Sequence, residues 1–175
     1  NIHVVLHSNI PEKSVFESSL HAEIGKTDYE NTTAQYETVK GLTDVSYVAF
    51  VWESGSGVYS EDLYSGVTST NDYGFVHFSN AFVDLVKELT ASNPSLVVDL
   101  LSCNLNEPTF IQEVERIANE EGVVMRYSLN QTGDPDADGD WVLESSGDDV
   151  KDLYFTDAID SWDNVLASNW SNNGA

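Results

Sequence analysis

The single cysteine, Cys103, stands in Ser102-Cys103-Asn104, directly after the apolar run 96–101. A thiol at a strand end can act as a nucleophile only if a base or cation favours the thiolate, which is the reactive form. The chain carries four histidines, His3, His7, His21 and His77. His7 closes the β-branched run 2–8, and His77 precedes a helical stretch, so these two are the candidate bases. His3 lies inside the first run and His21 near a helix end, and both read more simply as structural. Cys103 has a plain alternative role, since a free cysteine also serves as a small buried hydrophobe. One cysteine excludes an internal disulfide framework and a cysteine-rich zinc site.

The second constellation is Asp134-Pro135-Asp136-Ala137-Asp138-Gly139-Asp140. Calcium takes six to eight hard oxygens, and aspartates at alternate positions before a glycine can wrap one ion. The Asp-x-Asp-x-Asp-Gly spacing matches the opening of an EF-hand-type loop. The match stops there: Ser145 stands at the twelfth position, Glu144 falls one place early, and no helices flank the loop. Asp134, Asp136, Asp138, Asp140 and Glu144 are the candidate calcium ligands, with Asp148 or Asp149 as further donors. Magnesium is a poorer fit, and zinc is excluded by the lack of nearby His or Cys. The competing reading is a solvated acidic turn between two strands. Asp99, inside an apolar run, must find donors or take a proton. Three Asn-x-Ser/Thr sequons, at Asn31, Asn130 and Asn169, are near the chance number for this composition.

These groups need a scaffold, and the apolar periodicity supplies one. Residues 2–8, 45–52, 96–103 and 123–128 read as strands, the second and third nearly continuous in apolar residues, as in strands covered on both faces. Residues 14–20, 32–42, 79–90 and 107–121 place apolar residues at helical spacing. Gly41 and Gly122 are the expected stops of the second and fourth helices. Residues 53–71 read as loops or a short hairpin. Residues 141–145 with 153–155 are expected to form a terminal hairpin, 159–166 a last short helix, and 168–175 a tail or linker. Strand and helix alternate through residues 1–167, which predicts one α/β domain with a mostly parallel central sheet and helices on both faces. Parallel sheets collect their reactive groups beyond the carboxyl ends of the strands, which is where His7 and Cys103 stand.

Thirty acidic residues against seven basic ones give a formal charge of −23, and 41% of the chain is apolar. That charge repels phosphate backbones and anionic membrane surfaces, so nucleic acid is excluded as a partner. It suits high-salt or calcium-rich water, where cations screen carboxylates. No apolar run approaches the roughly 18 residues of a membrane span. A nucleotide-binding reading fails because Ser8-Asn9-Ile10-Pro11, and no glycine-rich turn, follows the first strand. The start at Asn1 reads as a mature fragment or one domain of something longer.

Three segments together resemble a known family. They are the strand 45–52 followed by Glu53-Ser54-Gly55, the strand ending in Ser102-Cys103-Asn104, and Thr132-Gly133 followed by Gly139-Asp140-Trp141-Val142-Leu143-Glu144. The chain resembles the bacterial domain of unknown function DUF4347, a caspase- and gingipain-like domain. Tyr154-Phe155 fits the same pattern, and the likeness runs from Ile2 to about Leu166. The resemblance implies a caspase-like three-layer fold, Cys103 at the position of a peptidase nucleophile, and residence in a long secreted, surface or virion protein. Its partners would then be other domains of that chain or another protein. The family pattern places histidine after the first of these strands, where this chain reads Glu53-Ser54-Gly55. Glu53 is a poor substitute, because a nearby negative charge raises a thiol pKa. In the caspase-type order the His7 strand lies two places from the Cys103 strand, which puts their ends roughly 10 Å apart. The expectation is a degenerate, non-catalytic module; the alternative is an active cysteine peptidase using Cys103 with His7 or His77.

Overall fold

A computed structural model of the protein describes residues 1–29, 33–53, 80–106 and 108–167. His77, and all but Glu53 of the expected loop 53–71, lie outside the described residues.

Short β-branched runs form the strands β1 (Ile2–His7), β3 (Tyr47–Val51), β4 (Val97–Leu101) and β5 (Val124–Tyr127), joined at one edge by β2 (Gly25–Tyr29). The five strands make one sheet in the order β2-β1-β3-β4-β5, and every neighbouring pair is parallel. The helices are α1 (Lys13–Ser18), α2 (Thr33–Lys40), α3 (Asn80–Ser92), α4 (Pro108–Glu121) and the one-turn α5 (Lys151–Tyr154). The protein is thus an α/β fold with a parallel sheet between two layers.

Side-chain alternation assigns each strand residue to one layer. Val5, Val48, Phe50, Val98, Leu100, Met125 and Tyr127 face α2, α3 and α4. Val4, Leu6, Ala49, Val51 and Leu101 face a second core built from Phe16 of α1, Trp141, Tyr154, Phe155 and Trp162. Aromatic rings carry this second layer: Phe16 meets Phe155 at 5.3 Å and Trp162 at 5.1 Å between centroids, both edge-on. Long helices line the first face, and short turns wrapped round large rings cover the second.

The helix ends follow local chemistry. Gly122, at φ +65, ends α4 in the left-handed conformation that glycine adopts without penalty. Asn93 closes α3 and does more. Its Nδ2 donates to Leu89 O at 2.9 Å and to Leu42 O at 3.0 Å, while its Oδ1 accepts from Val45 N at 3.1 Å. That 5%-exposed amide therefore locks the end of α3 to the turn that enters β3. Asn93→Ala strands those buried groups and should lower unfolding free energy by about 1–3 kcal/mol in urea denaturation.

Two expectations are corrected, and one strand is added. The hairpin pairs β6 (Val142–Leu143) with β7 (Asp148–Asp149), and residues 153–155 fall in and just after α5 instead. Gly147, at φ +81, lets the chain reverse almost at once after Leu143, so no longer arm forms. The last helix is only a 3-10 turn, Asp157–Ser161; Val165 and Leu166 beyond it are not helical. The edge strand β2 has no counterpart in the apolar pattern, because Gly25-Lys26-Thr27-Asp28 is polar and only Tyr29 is buried.

Candidate functional site at the carboxyl edge of the sheet

Cys103 lies two residues past β4 and is 1% exposed. Thr132, fully buried, is its main partner. The Thr132 N–H donates to Sγ at 3.1 Å, and the thiol donates to Thr132 O at 3.5 Å. The Thr132 hydroxyl donates to Ser102 O at 3.0 Å, and the Cys103 N–H donates to Leu166 O at 3.1 Å. A sulfur that gives a proton to a carbonyl is acting as a thiol. Burial pushes its pKa up to about 12, against the pull of backbone N–H groups and with a further push from the Glu53 charge. Burial likewise raises the Glu53 carboxyl. The environment suppresses thiolate, the reverse of what a cysteine nucleophile needs.

His7 does not join this centre. Its strand is separated from β4 by β3, so the strand ends stand ~10 Å apart at the usual spacing. Alternation adds a second barrier. His7 is two residues from Val5 and shares its face with the α2–α4 layer, whereas Cys103 belongs to the opposite core. The His7 Nδ1 accepts from Asn9 N at 3.1 Å, which directs the ring into the turn after β1. Asn9 in turn clasps the backbone of Glu53, donating to its O at 3.2 Å and accepting from its N at 3.0 Å. His7 thus helps tie the ends of β1 and β3 together, while strand order and alternation set it apart from Cys103. His3 meets the Thr27 hydroxyl at 2.7 Å, and His21 meets Asp152 O at 2.8 Å, both structural contacts.

The acidic loop holds itself by hydrogen bonds of its own. The Asp134 carboxylate accepts from Asp136 N at 3.1 Å and caps the 3-10 turn Pro135–Ala137. The Asp140 carboxylate accepts from Val142 N at 3.1 Å, and Asp138 sits at φ 63, turning the chain back. Glu144 is used elsewhere: its Oε1 accepts from Leu129 N at 2.7 Å and from the Ser128 hydroxyl at 3.0 Å. Among the described residues no group of three or more His, Cys, Asp or Glu side chains could hold a metal ion. As the side chains stand, Asp134, Asp136, Asp138, Asp140 and Glu144 are not brought together into such a group, and the EF-hand likeness ends at spacing. The loop does border a cavity of about 310 Å³, shared with Asp149, Lys151 and Trp141. Lys151 is paired with Asp160 at 2.9 Å. Burial raises the Asp140 carboxyl, helped by the charges of Glu144 and Asp149.

A polar cluster that the apolar pattern hides is built on β4 and β5. Asp99, fully buried in β4, receives two hydrogen bonds from its register partner Arg126 in β5, Nε to Oδ1 at 2.6 Å and Nη2 to Oδ2 at 2.7 Å. The Tyr154 hydroxyl donates to Asp99 Oδ2 at 2.5 Å, and Arg126 Nη1 reaches Asp148 Oδ2 at 3.2 Å. This bidentate pair answers the demand that a buried carboxylate find donors. It fastens α5 and β7 to the centre of the sheet. The signal was Asp99 in an apolar strand with one arginine in the next, but their register is tertiary information.

No helix of the described residues is long and apolar enough to cross a membrane. Comparison with family models, with curated proteins and with solved structures finds no match to this chain.

Proposed function

We propose that this chain is a non-catalytic α/β domain of caspase-like type, similar to the DUF4347 family, serving as a structural or interaction module of a larger secreted, surface or virion protein. One observation carries the reading: the thiol at the nucleophile position is 1% exposed, hydrogen-bonded to Thr132 and pushed up to about 12. The face on which His7 lies and the place of Glu53 beside the thiol support it further. In this reading Cys103 packs and donates a hydrogen bond, and the acidic surface keeps the module soluble among other domains.

The test is exposure of the intact protein to peptidyl thiol-directed inhibitors and to mixed peptide substrates at neutral pH. The expected result is no covalent adduct at Cys103 and no hydrolysis above buffer. Stoichiometric labelling faster than that of a simple thiol, abolished by His77→Ala, would replace this reading with that of a cysteine peptidase.

A further inference from the structure

Residues 164–167 lie outside the five-stranded sheet yet cover its carboxyl edge at Cys103. The Leu166 N–H donates to Thr132 O at 2.9 Å, Leu166 O accepts from Cys103 N at 3.1 Å, and Asn164 O accepts from Asp134 N at 2.9 Å. Val165 forms an isolated antiparallel bridge with Gly133. These bonds are those of an added strand laid against two loops, residues 102–103 and 132–134. The groove is cut to backbone dimensions. Gly133 sits at φ +140, and a Cβ there would come within 2.5 Å of Asn164 O and 2.8 Å of Val165 Cα. Val165, Leu166 and Ala167 are buried in the same core as Cys103.

The root of this segment is anchored differently. Trp162 packs edge-on against Phe16, and its Nε1–H donates to Pro11 O at 2.7 Å. The Asn164 side chain donates to Glu12 Oε1 at 3.0 Å, again on the α1 side. Trp162 is thus fixed by ring packing, while the residues beyond Asn164 are tied down by backbone bonds to loops and by three apolar side chains of modest size. We propose that residues 164–167 are a strap that occupies a strand-accepting groove over Cys103 and opens as a unit about Trp162, uncovering thiol and groove while the sheet stays folded. Local openings of this kind occur below the free energy of global unfolding and show little denaturant dependence. The strap is a property of the fold and stands whether or not the domain is catalytic.

Native-state hydrogen exchange of the whole chain tests it, read at the amides of Cys103, Asp134 and Leu166 in low urea, with Cys103 labelling by a small disulfide reagent alongside. The three amides should exchange together, at least 100-fold faster than those in β4, at rates insensitive to urea below the unfolding transition, and the thiol should react through the same opening. Gly133→Ala should speed all four events at least 10-fold, and because the clash raises the closed state against the open and the unfolded states alike, β4 exchange should speed by no less and the opening should stay insensitive to urea. Exchange of these amides only together with β4, with full urea dependence, overturns the strap. If the alanine variant does not fold, the wild-type pattern alone decides.

Discussion

Arg126→Met should destabilise the protein by about 3–5 kcal/mol, because it removes the partner of a fully buried carboxylate. The guanidinium gives Asp99 two of its hydrogen bonds, and water cannot replace them at a site with no accessible surface. Burial and the Asp99 charge push the Tyr154 hydroxyl well up, so it keeps its proton as a donor and cannot substitute for a positive charge. Replacing both partners, with Asp99→Leu and Arg126→Met, removes the desolvation cost along with the attraction. The double variant should recover most of the lost stability, since apolar replacements of buried ion pairs are often close to neutral. Urea denaturation of the two single variants and the double one measures this directly. If the double variant is as unstable as the worse single one, the pair contributes packing that leucine and methionine do not reproduce, and the electrostatic account fails.

The second large effect concerns Cys103 and pH. With its pKa pushed up to about 12, the thiol is ionised at pH 7 to roughly one part in 10⁵, against about one in 10² at the ordinary value of 9.0. Alkylation of the folded protein by iodoacetamide should therefore be at least ~10³-fold slower than that of the unfolded chain, the ratio of the two thiolate fractions. The same shift links to stability. Between pH 9 and 12 the folded state holds the thiol proton that the unfolded state has released, so stability falls as pH rises through this window. The slope should approach about 1.4 kcal/mol per pH unit from this one group and be absent from the curve of Cys103→Ala. A wild-type curve parallel to that of the alanine variant above pH 9 would show that the thiol is not held neutral by its surroundings.

Proton release thus costs the folded state stability, whereas a nucleophile is built to gain from it. In a peptidase site the nucleophile is the residue most eager to ionise, and its neighbours are cationic or basic. Here the thiol meets one backbone carbonyl acceptor, the backbone N–H groups of Thr132 and Leu166, and the charge of a carboxylate. The Glu53 charge adds to that inversion, since a nearby negative charge raises a thiol pKa.

The sequence alone determined the parallel α/β architecture. β1, β3, β4 and β5 are mostly apolar runs short enough to be strands, and α3 and α4 carry apolar residues at helical spacing between them. Such patterns are local, and burial on both faces leaves the chain few other ways to satisfy them. Cys103 at a strand end was legible for the same reason. What only the tertiary structure decided depends on register and on which face a residue meets. β2 is polar and becomes a strand because β1 offers it an open edge. His7 stands at the correct end of the sheet but on the wrong face for Cys103, a difference of one residue in a two-residue period. The alternating aspartates look like ligands in one dimension, yet Asp134 and Asp140 bond their own loop and Glu144 bonds the turn after β5. Asp99 met Arg126 only through strand register, and Cys103 was sealed by a segment more than sixty residues away along the chain. Spacing along a chain names the groups that could react; the fold decides which of them face each other and which are left in the dark.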